Sequence, residues 1–293
     1  MVSIPSARGI SPYTASCLLN MKDVLAAHGH KMHLGVLHRV PLDAARNELT
    51  TSFLSTPCEV QLWLDDDCWI EPVGTPTDVM LLIDAIEAGG DIVSAPCRMR
   101  NAGAAWHPFN VSPSGHPERL GNVRVIECDW TGFGCVAIAR RVVQGLYDNA
   151  RSRDKTRQAQ IDAGADPATL PEQELYASAI LPGSKTAALF RSRVVPAATY
   201  QPDAPSDLGV YILDDKVYSL AARQAGFRIH AAIDVHTSHD GMTGCFADDL
   251  ENLLREQAAA GAPGAPTSAA SDGKVARAPM LIDNFGRPMR GGK

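Results

Sequence analysis

Apolar residues along this chain come in short runs separated by stretches where they recur every three or four positions, as strands alternating with helices do. An apolar run over 1–4 ends at Pro5, and the loop Ser6-Ala7-Arg8-Gly9 leads to a helix over 14–28. Leu18, Leu19, Val24 and Leu25 give that helix its period, and Gly29 supplies a left-handed stop. A second strand spans 32–39. Asp43 can then cap a helix whose Ala44, Ala45, Leu49, Phe53 and Leu54 face inward up to Pro57, before a third strand over 60–64. The pattern continues with a helix over 78–87 stopped by Gly89-Gly90 and a strand over 91–95. Two short strands, 123–128 and 135–139, flank Asp129-Trp130-Thr131-Gly132-Phe133-Gly134. From Gly145 to Asp207 the period weakens, which predicts an insertion with one helix over 171–180. A strand over 210–213, a helix over 216–225 ended by Gly226 and a strand over 227–235 complete the series. This alternation predicts an α/β fold with a mainly parallel central sheet flanked by helices, and ligands at the carboxyl ends of its strands.

Composition narrows the class. The 293 residues, 45% hydrophobic and 20% charged, are ample for one large domain or two small ones. A net charge of -6 gives no overall basic field. The cysteines are seven, scattered and without a C-x-x-C pair, which argues against a zinc site or a disulfide framework and for reduced, mostly buried thiols. No run approaches the roughly 20 apolar residues a membrane span needs. The expectation is a soluble, cytoplasmic protein with no membrane partner. Past Gln257 the chain turns to Ala, Gly, Pro and Ser, predicting a flexible tail over 257–293 in which 280–285 is a docking segment.

The stretch that draws chemistry is Leu64-Asp65-Asp66-Asp67, an apolar strand running into three carboxylates. Like charges this close are unfavourable without a cation among them, so the triplet points to a divalent metal, Mn²⁺ or Mg²⁺. The spacing rules out a calcium loop, because Ile70 stands where the glycine would be and Pro76 where the bidentate glutamate would be. The plainer alternative is a solvated acidic turn. Asp214-Asp215 likewise reads either as a helix cap or as a catalytic carboxylate pair. Gly132 and Gly134 around Phe133, next to Trp130, suit either a ligand-lining backbone or a glycine-rich connection.

Taken together and in order, Leu64-Asp65-Asp66-Asp67, Trp130-Thr131-Gly132-Phe133-Gly134, Leu213-Asp214-Asp215 and His239-Asp240-Gly241 resemble metal-dependent nucleotide-sugar glycosyltransferases of the GT-A fold. The likeness is to the large inverting group of family-two-like enzymes. It implies a Rossmann-like GT-A domain over 1–256, a variable acceptor-side insertion over 145–208 and the tail beyond. It further implies Asp67, Asp65 and His239 at the metal, with Pro5, Ser6, Arg8, Arg46, Asp65 and Asp66 binding the donor, a UDP-sugar. Arg46-Asn47 is similar to the family's Arg-Asn pair that helps hold the nucleotide. Asp215, supported by Asp214, would take the proton of the acceptor hydroxyl, and Trp130, Gly132, Phe133 and Gly134 would line the acceptor. The chain departs from the pattern in starting its first strand at residue 1 and in carrying Asp214-Asp215 where the family has Glu-Asp.

The acceptor is read from charge. Arg140, Arg141, Arg151, Arg153, Lys155 and Arg157 stand against Asp148 and Asp154, a local excess that could track phosphates. Together with a resemblance to phage-encoded enzymes that glycosylate hydroxymethylated bases, this makes DNA the leading acceptor expectation, with Trp106, Trp130 or Phe133 stacking on the base. The alternatives are a soluble glycan or metabolite acceptor, a noncatalytic nucleotide-sugar binding protein, and a nucleotidyltransferase, for which Pro5-Ser6-Ala7-Arg8-Gly9 is a poor match. His28, His30, His33 and His38 straddle a helix end and a strand and read as solvated surface.

Overall fold

The computed structural model describes residues 1–7, 9–70, 78–97, 109–196 and 209–239, with backbone alone for 193–196 and 209–212. The chain opens with β1 (Val2–Ser6), α1 (Pro12–Ala27), β2 (Leu34–His38), α2 (Leu42–Leu54) and β3 (Val60–Leu64). Next come β4 (Cys68–Ile70), α3 (Asp78–Glu87), β5 (Ile92–Ser94), β6 (Val111–Leu120), β7 (Val123–Thr131) and β8 (Cys135–Ala139). After α4 (Arg140–Asp162) and a 3-10 turn, Pro167–Thr169, lie β9 (Leu175–Ala177), β10 (Lys185–Ala187) and β11 (Arg193–Pro196). The described chain ends with β12 (Gly209–Ile212), α5 (Asp214–Gln224), β13 (Ile229–Ala232) and β14 (Thr237–His239).

Eight strands form one sheet in the order β2-β1-β3-β8-β5-β13-β7-β6. β1 runs parallel to β2 and β3, and β5 parallel to β13. β8 opposes β3 and β5, and β7 opposes β13 and β6. All the strands except β8 and β7 therefore point one way, giving the mainly parallel α/β sheet that the alternating pattern predicts. β1 and β8 are buried along their whole length, as strands covered on both faces must be. The helices pack as two groups, α1 beside α3 and α4 beside both α2 and α5. α1 ends at Gly29, whose φ of 81° is the left-handed stop expected there.

Several local expectations give way to tertiary effects. Pro5 lies inside β1, opposite Leu37, because β3 pairs with β1 only at Val2 and Ser3 and so asks no N–H of it. α2 begins after Pro41, and Asp43 sits within its first turn, its Oδ1 accepting from the Ala44 amide at 2.8 Å. The stretch 171–180 is not helical. Its residues enter the β9–β10 hairpin, and the helix of this region is α4, which buries Val142, Val143, Leu146 and Ala150 in its first half only. Polar ties hold the second half: Asp154 accepts the amides of Glu174 and Leu175 at 2.7 and 2.8 Å, and Arg153 pairs with Glu174 at 2.7 Å. β6, with Pro113 and Pro117, escapes the apolar pattern because it is an edge strand with register shifts, where proline is tolerated.

Among the described residues no helix is long and apolar enough to cross a membrane. The six described cysteines are reduced, all buried but Cys58. His28, His33 and His38 are exposed and His30 half-buried. The tail over 257–293, along with Arg8, Trp106, Asp240 and Gly241, lies outside the described residues.

Candidate functional site

The site gathers at the carboxyl end of β3. β3 carries its pairing one residue further, the Asp65 amide donating to Gly134 O at 3.0 Å, and a turn closed by Cys68 N to Asp65 O at 3.1 Å leads into β4. β4 pairs with β14 in a register that sets Cys68 opposite His239. That pairing brings His239 Nε2 to 3.1 Å from Asp67 Oδ1. Cys68 Sγ approaches the same oxygen at 3.8 Å. One ligand atom from each of Asp67, Cys68 and His239 lies within 4.8 Å of the others.

The loop after β1 is tied to the triplet through its middle member. The Ala7 amide donates to Asp66 Oδ2 at 3.2 Å, the Ser11 amide to Asp66 O at 2.8 Å, and Thr14 Oγ1 to Cys68 O at 2.8 Å. Asp66 thus anchors the loop and the start of α1. Pro5 and Ser6 are buried beneath it, and Ser6 Oγ accepts from the Gly9 amide at 3.0 Å.

Arg46, on α2, joins this centre to the second pair of carboxylates. Its side chain is 4% exposed, and its guanidinium donates to Asp214 Oδ2 at 2.8 Å and to Asp65 Oδ1 at 3.3 Å. The rings of Phe133 and Phe190 stand 5.3 and 5.8 Å from it. Phe133 is itself buried, packed edge-on against Trp63, Phe190 and Tyr218, so its ring is a wall behind Arg46 and not an exposed stacking face. Asn47, next on the helix, clasps the Phe190 backbone with both ends of its amide, at 2.7 and 2.8 Å. The Arg-Asn pair therefore builds the floor of the site.

Burial works against the Arg46 charge, but Asp65, Asp214 and Asp215 outweigh it and raise its pKa. Partial burial also raises the Asp65 carboxyl, whose side chain is 31% exposed, against the pull of Arg46. Asp215 is raised for the same reason, burial first, with Arg46 opposing and Asp214 adding to the shift. Asp214 and Asp215 open α5 in its first turn after Leu213, where the helix dipole favours negative charge.

Glycines make the approach possible. A β-carbon on Gly132 would stand 3.0 Å from Asn110 Cβ and 3.4 Å from Asp215 Oδ2. One on Gly134 would meet Cys97 Sγ at 3.3 Å and Cys68 Sγ at 3.4 Å. Asn110, which sequence reasoning missed, fixes this bend: its Oδ1 accepts the Cys97 amide at 2.7 Å and its Nδ2 donates to Gly132 O at 3.4 Å. Trp130 is half-buried, with the Lys216 ammonium 4.3 Å from its ring.

The donor set Asp67, His239 and Cys68 is one a divalent cation can use: a carboxylate, an imidazole and a thiol converging from the β3–β4 turn and β14. His236 is placed elsewhere, its Nδ1 2.9 Å from Asp78 Oδ2 at the start of α3. Most of the cationic stretch is committed to the fold. Arg140 donates to the carbonyls of Phe53, Leu54, Thr56 and Cys58, and Arg141 to Asp91, Gly89 and Gly90. Arg153 pairs with Glu174 and Arg157 donates to Pro171 O.

No family model and no curated protein matches the chain. Solved structures similar to it include A197 from STIV, with a TM-score of 0.32 and 15% identity over 49% of this chain and 66% of that one. A glycosyltransferase involved in the glycosylation of the major capsid of PBCV-1 gives 0.32 and 13% over 83% and 95%. Mannose-1-phosphate geranyltransferase from Thermus thermophilus gives 0.30 and 16% over 58% and 68%. Likeness at that level assigns no function, which has to come from the geometry of the site.

Proposed function

We propose that the protein transfers a glycosyl group from a nucleoside-diphosphate sugar, a UDP-sugar in the first instance, to an acceptor hydroxyl with inversion at the anomeric carbon. The observation that carries this reading is the Arg46 bridge from Asp65, in the triplet after β3, to Asp214, the chain neighbour of Asp215. One end offers a cation centre suited to a diphosphate, and the other a carboxylate suited to a proton. Asp67 and His239 would hold the divalent cation, Mn²⁺ or Mg²⁺ in the family that the sequence resembles. When bound, such a cation offsets the negative charge that develops on the departing diphosphate.

This chain's residues supply the rest. Asp215 accepts the proton of the acceptor hydroxyl as its oxygen bonds to the anomeric carbon and the carbon–phosphate oxygen bond breaks. A carboxylate whose basicity is raised by burial suits that task better than a solvated one. The Lys216 amide donates to Asp215 Oδ1 at 2.7 Å, Arg46 pairs with its chain neighbour Asp214, and Gly132 leaves room beside it. Trp130 and Lys216 stand on the acceptor side, the aromatic face being apt for a sugar ring. A hydroxymethylated DNA base would need phosphate-tracking cations; Arg140, Arg141, Arg153 and Arg157 have partners within the fold, and Arg151 and Lys155 are exposed. The reading therefore puts a soluble glycan or small hydroxylated molecule first and DNA second.

The test is incubation with a panel of nucleotide sugars and divalent cations, reading released nucleoside diphosphate. Sugars, polyols and hydroxymethylated duplex DNA serve as separate acceptors, and NMR of the product assigns the anomer. Folded protein that neither binds nor turns over any nucleotide sugar overturns the proposal. Sugar recovered on DNA nucleosides alone restores the nucleic-acid acceptor.

A further inference from the structure

The cation centre contains a group that a D-x-D site does not require. Asp67 and His239 accompany a sequence pattern expected to take Mn²⁺ or Mg²⁺, yet Cys68 Sγ sits on the same carboxylate oxygen as His239 Nε2. Asp65, the other outer carboxylate of the triplet, is drawn toward Arg46 and does not belong to this group of converging donors. We infer that Cys68 is a third protein ligand beside Asp67 and His239, and that the centre takes a thiolate-accepting divalent cation such as Zn²⁺ or Co²⁺ in preference to Mg²⁺. This rests on the proposed reading of the site as a donor-binding cation centre.

Spacing favours it. With zinc–ligand distances of about 2.0 to 2.3 Å, a tetrahedral ion sets a nitrogen and an oxygen ligand about 3.3 Å apart and a sulfur and an oxygen about 3.5 Å apart. The corresponding separations here are 3.1 Å for His239 Nε2 to Asp67 Oδ1 and 3.8 Å for Cys68 Sγ to the same oxygen. These two separations match a tetrahedral ion to within a few tenths of an ångström, and the three ligand atoms all lie within 4.8 Å of one another. Three protein ligands leave the open position that a reactive centre needs, here for a diphosphate oxygen.

The surroundings fit as well. Gly134 spares Cys68 Sγ and Cys97 Sγ a β-carbon at 3.4 and 3.3 Å, which leaves the sulfur of Cys68 room beside Asp67. Thiolate donors select Zn²⁺ and Co²⁺ class ions, whereas Mg²⁺ asks for oxygen. The binding step balances simply: the Cys68 S–H bond breaks, the sulfur bonds the cation, and the proton leaves to solvent. Cysteine spacing along the chain argues against a zinc site only because these ligands come from two separate segments paired as β4 and β14.

The experiment is a Co²⁺ titration of chelator-treated full-length protein followed by absorption. A near-ultraviolet thiolate-to-cobalt band should grow to saturation at about one ion per chain with release of a proton, and Zn²⁺ but not Mg²⁺ should displace it. Cys97→Ser should keep the band. Cys68→Ser should lose it and weaken Co²⁺ binding by at least about 10- to 100-fold, the loss common for a merely supporting partner. Cobalt bound with visible d–d bands but no charge-transfer band in the wild type refutes the thiolate ligand while leaving the cation centre and the functional reading intact. Absence of any divalent binding, with or without nucleoside diphosphate, removes both. The wild-type spectrum decides the matter even if Cys68→Ser does not fold.

Discussion

Arg46 is the side chain whose removal should cost most. Its side chain is 4% exposed and that of Asp214, 2.8 Å away, 9% exposed, and its guanidinium lies 5.3 and 5.8 Å from the rings of Phe133 and Phe190. Arg46→Met keeps the bulk and removes the charge, leaving Asp214 buried without its cation. Stranding one member of a buried pair costs about 3–5 kcal/mol. The lost contact to Asp65 adds little, because that carboxylate is 31% exposed and 3.3 Å away. At about 2–4 °C per kcal/mol for a domain of this size, the melting midpoint should fall by roughly 6–20 °C. Urea or thermal unfolding of Arg46→Met, Asp214→Asn and the double variant measures the pair. The double variant should cost less than the sum of the two by about 0.5–3 kcal/mol, since neutralising Asp214 removes the stranded charge. Arg46 also holds down the Asp215 pKa, so the acid limb of the pH–rate profile in Arg46→Met should move to higher pH. Strictly additive losses, or a single-variant cost below about 1 kcal/mol, would refute the bridge.

Other tests follow from the same geometry. Asp215→Asn should lower kcat by on the order of 10² or more with donor affinity kept, because the lost interaction belongs to the transition state; near-normal turnover moves the base to Asp214. Gly132→Ala places a β-carbon 3.0 Å from Asn110 Cβ and 3.4 Å from Asp215 Oδ2, and should reduce kcat while sparing donor affinity; an unchanged kcat means that the close approach has no part in turnover. His230, buried on β13, has its pKa lowered from 6.5, chiefly by burial, so the unfolded chain binds its proton first. Stability it contributes is present above 6.5 and is lost as pH falls through the window between that value and the lower folded one. The wild type should therefore lose stability relative to His230→Phe as pH drops below 6.5, and parallel pH curves for the two proteins would contradict this.

The positions of most helices and strands were legible because burial of one face imposes a period. The helix over 78–87 and the strand over 60–64 match α3 and β3 to the residue. Carboxylates crowded after an apolar strand likewise drew attention to Asp67, which the fold sets beside Cys68 and His239, since local repulsion needs only neighbouring residues. Elements held by polar ties or sheet edges left no such mark: the second half of α4 rests on Asp154 and Arg153, and β6 is an edge strand carrying two prolines. The basic stretch from Arg140 to Arg157 had the right charge for phosphate, but only the fold shows that its guanidiniums mostly fasten neighbouring carbonyls and carboxylates. Long-range pairing was equally hidden. Arg46 and Asp214 are 168 positions apart, and Cys68 meets His239 only through the β4–β14 register. Sequence thus determined the local conformations and the residue types available for chemistry, because both depend on near neighbours. Which carboxylate pairs with Arg46 and which thiol lies beside Asp67 and His239 depended on strand order and burial, and those exist only once the chain has closed on itself.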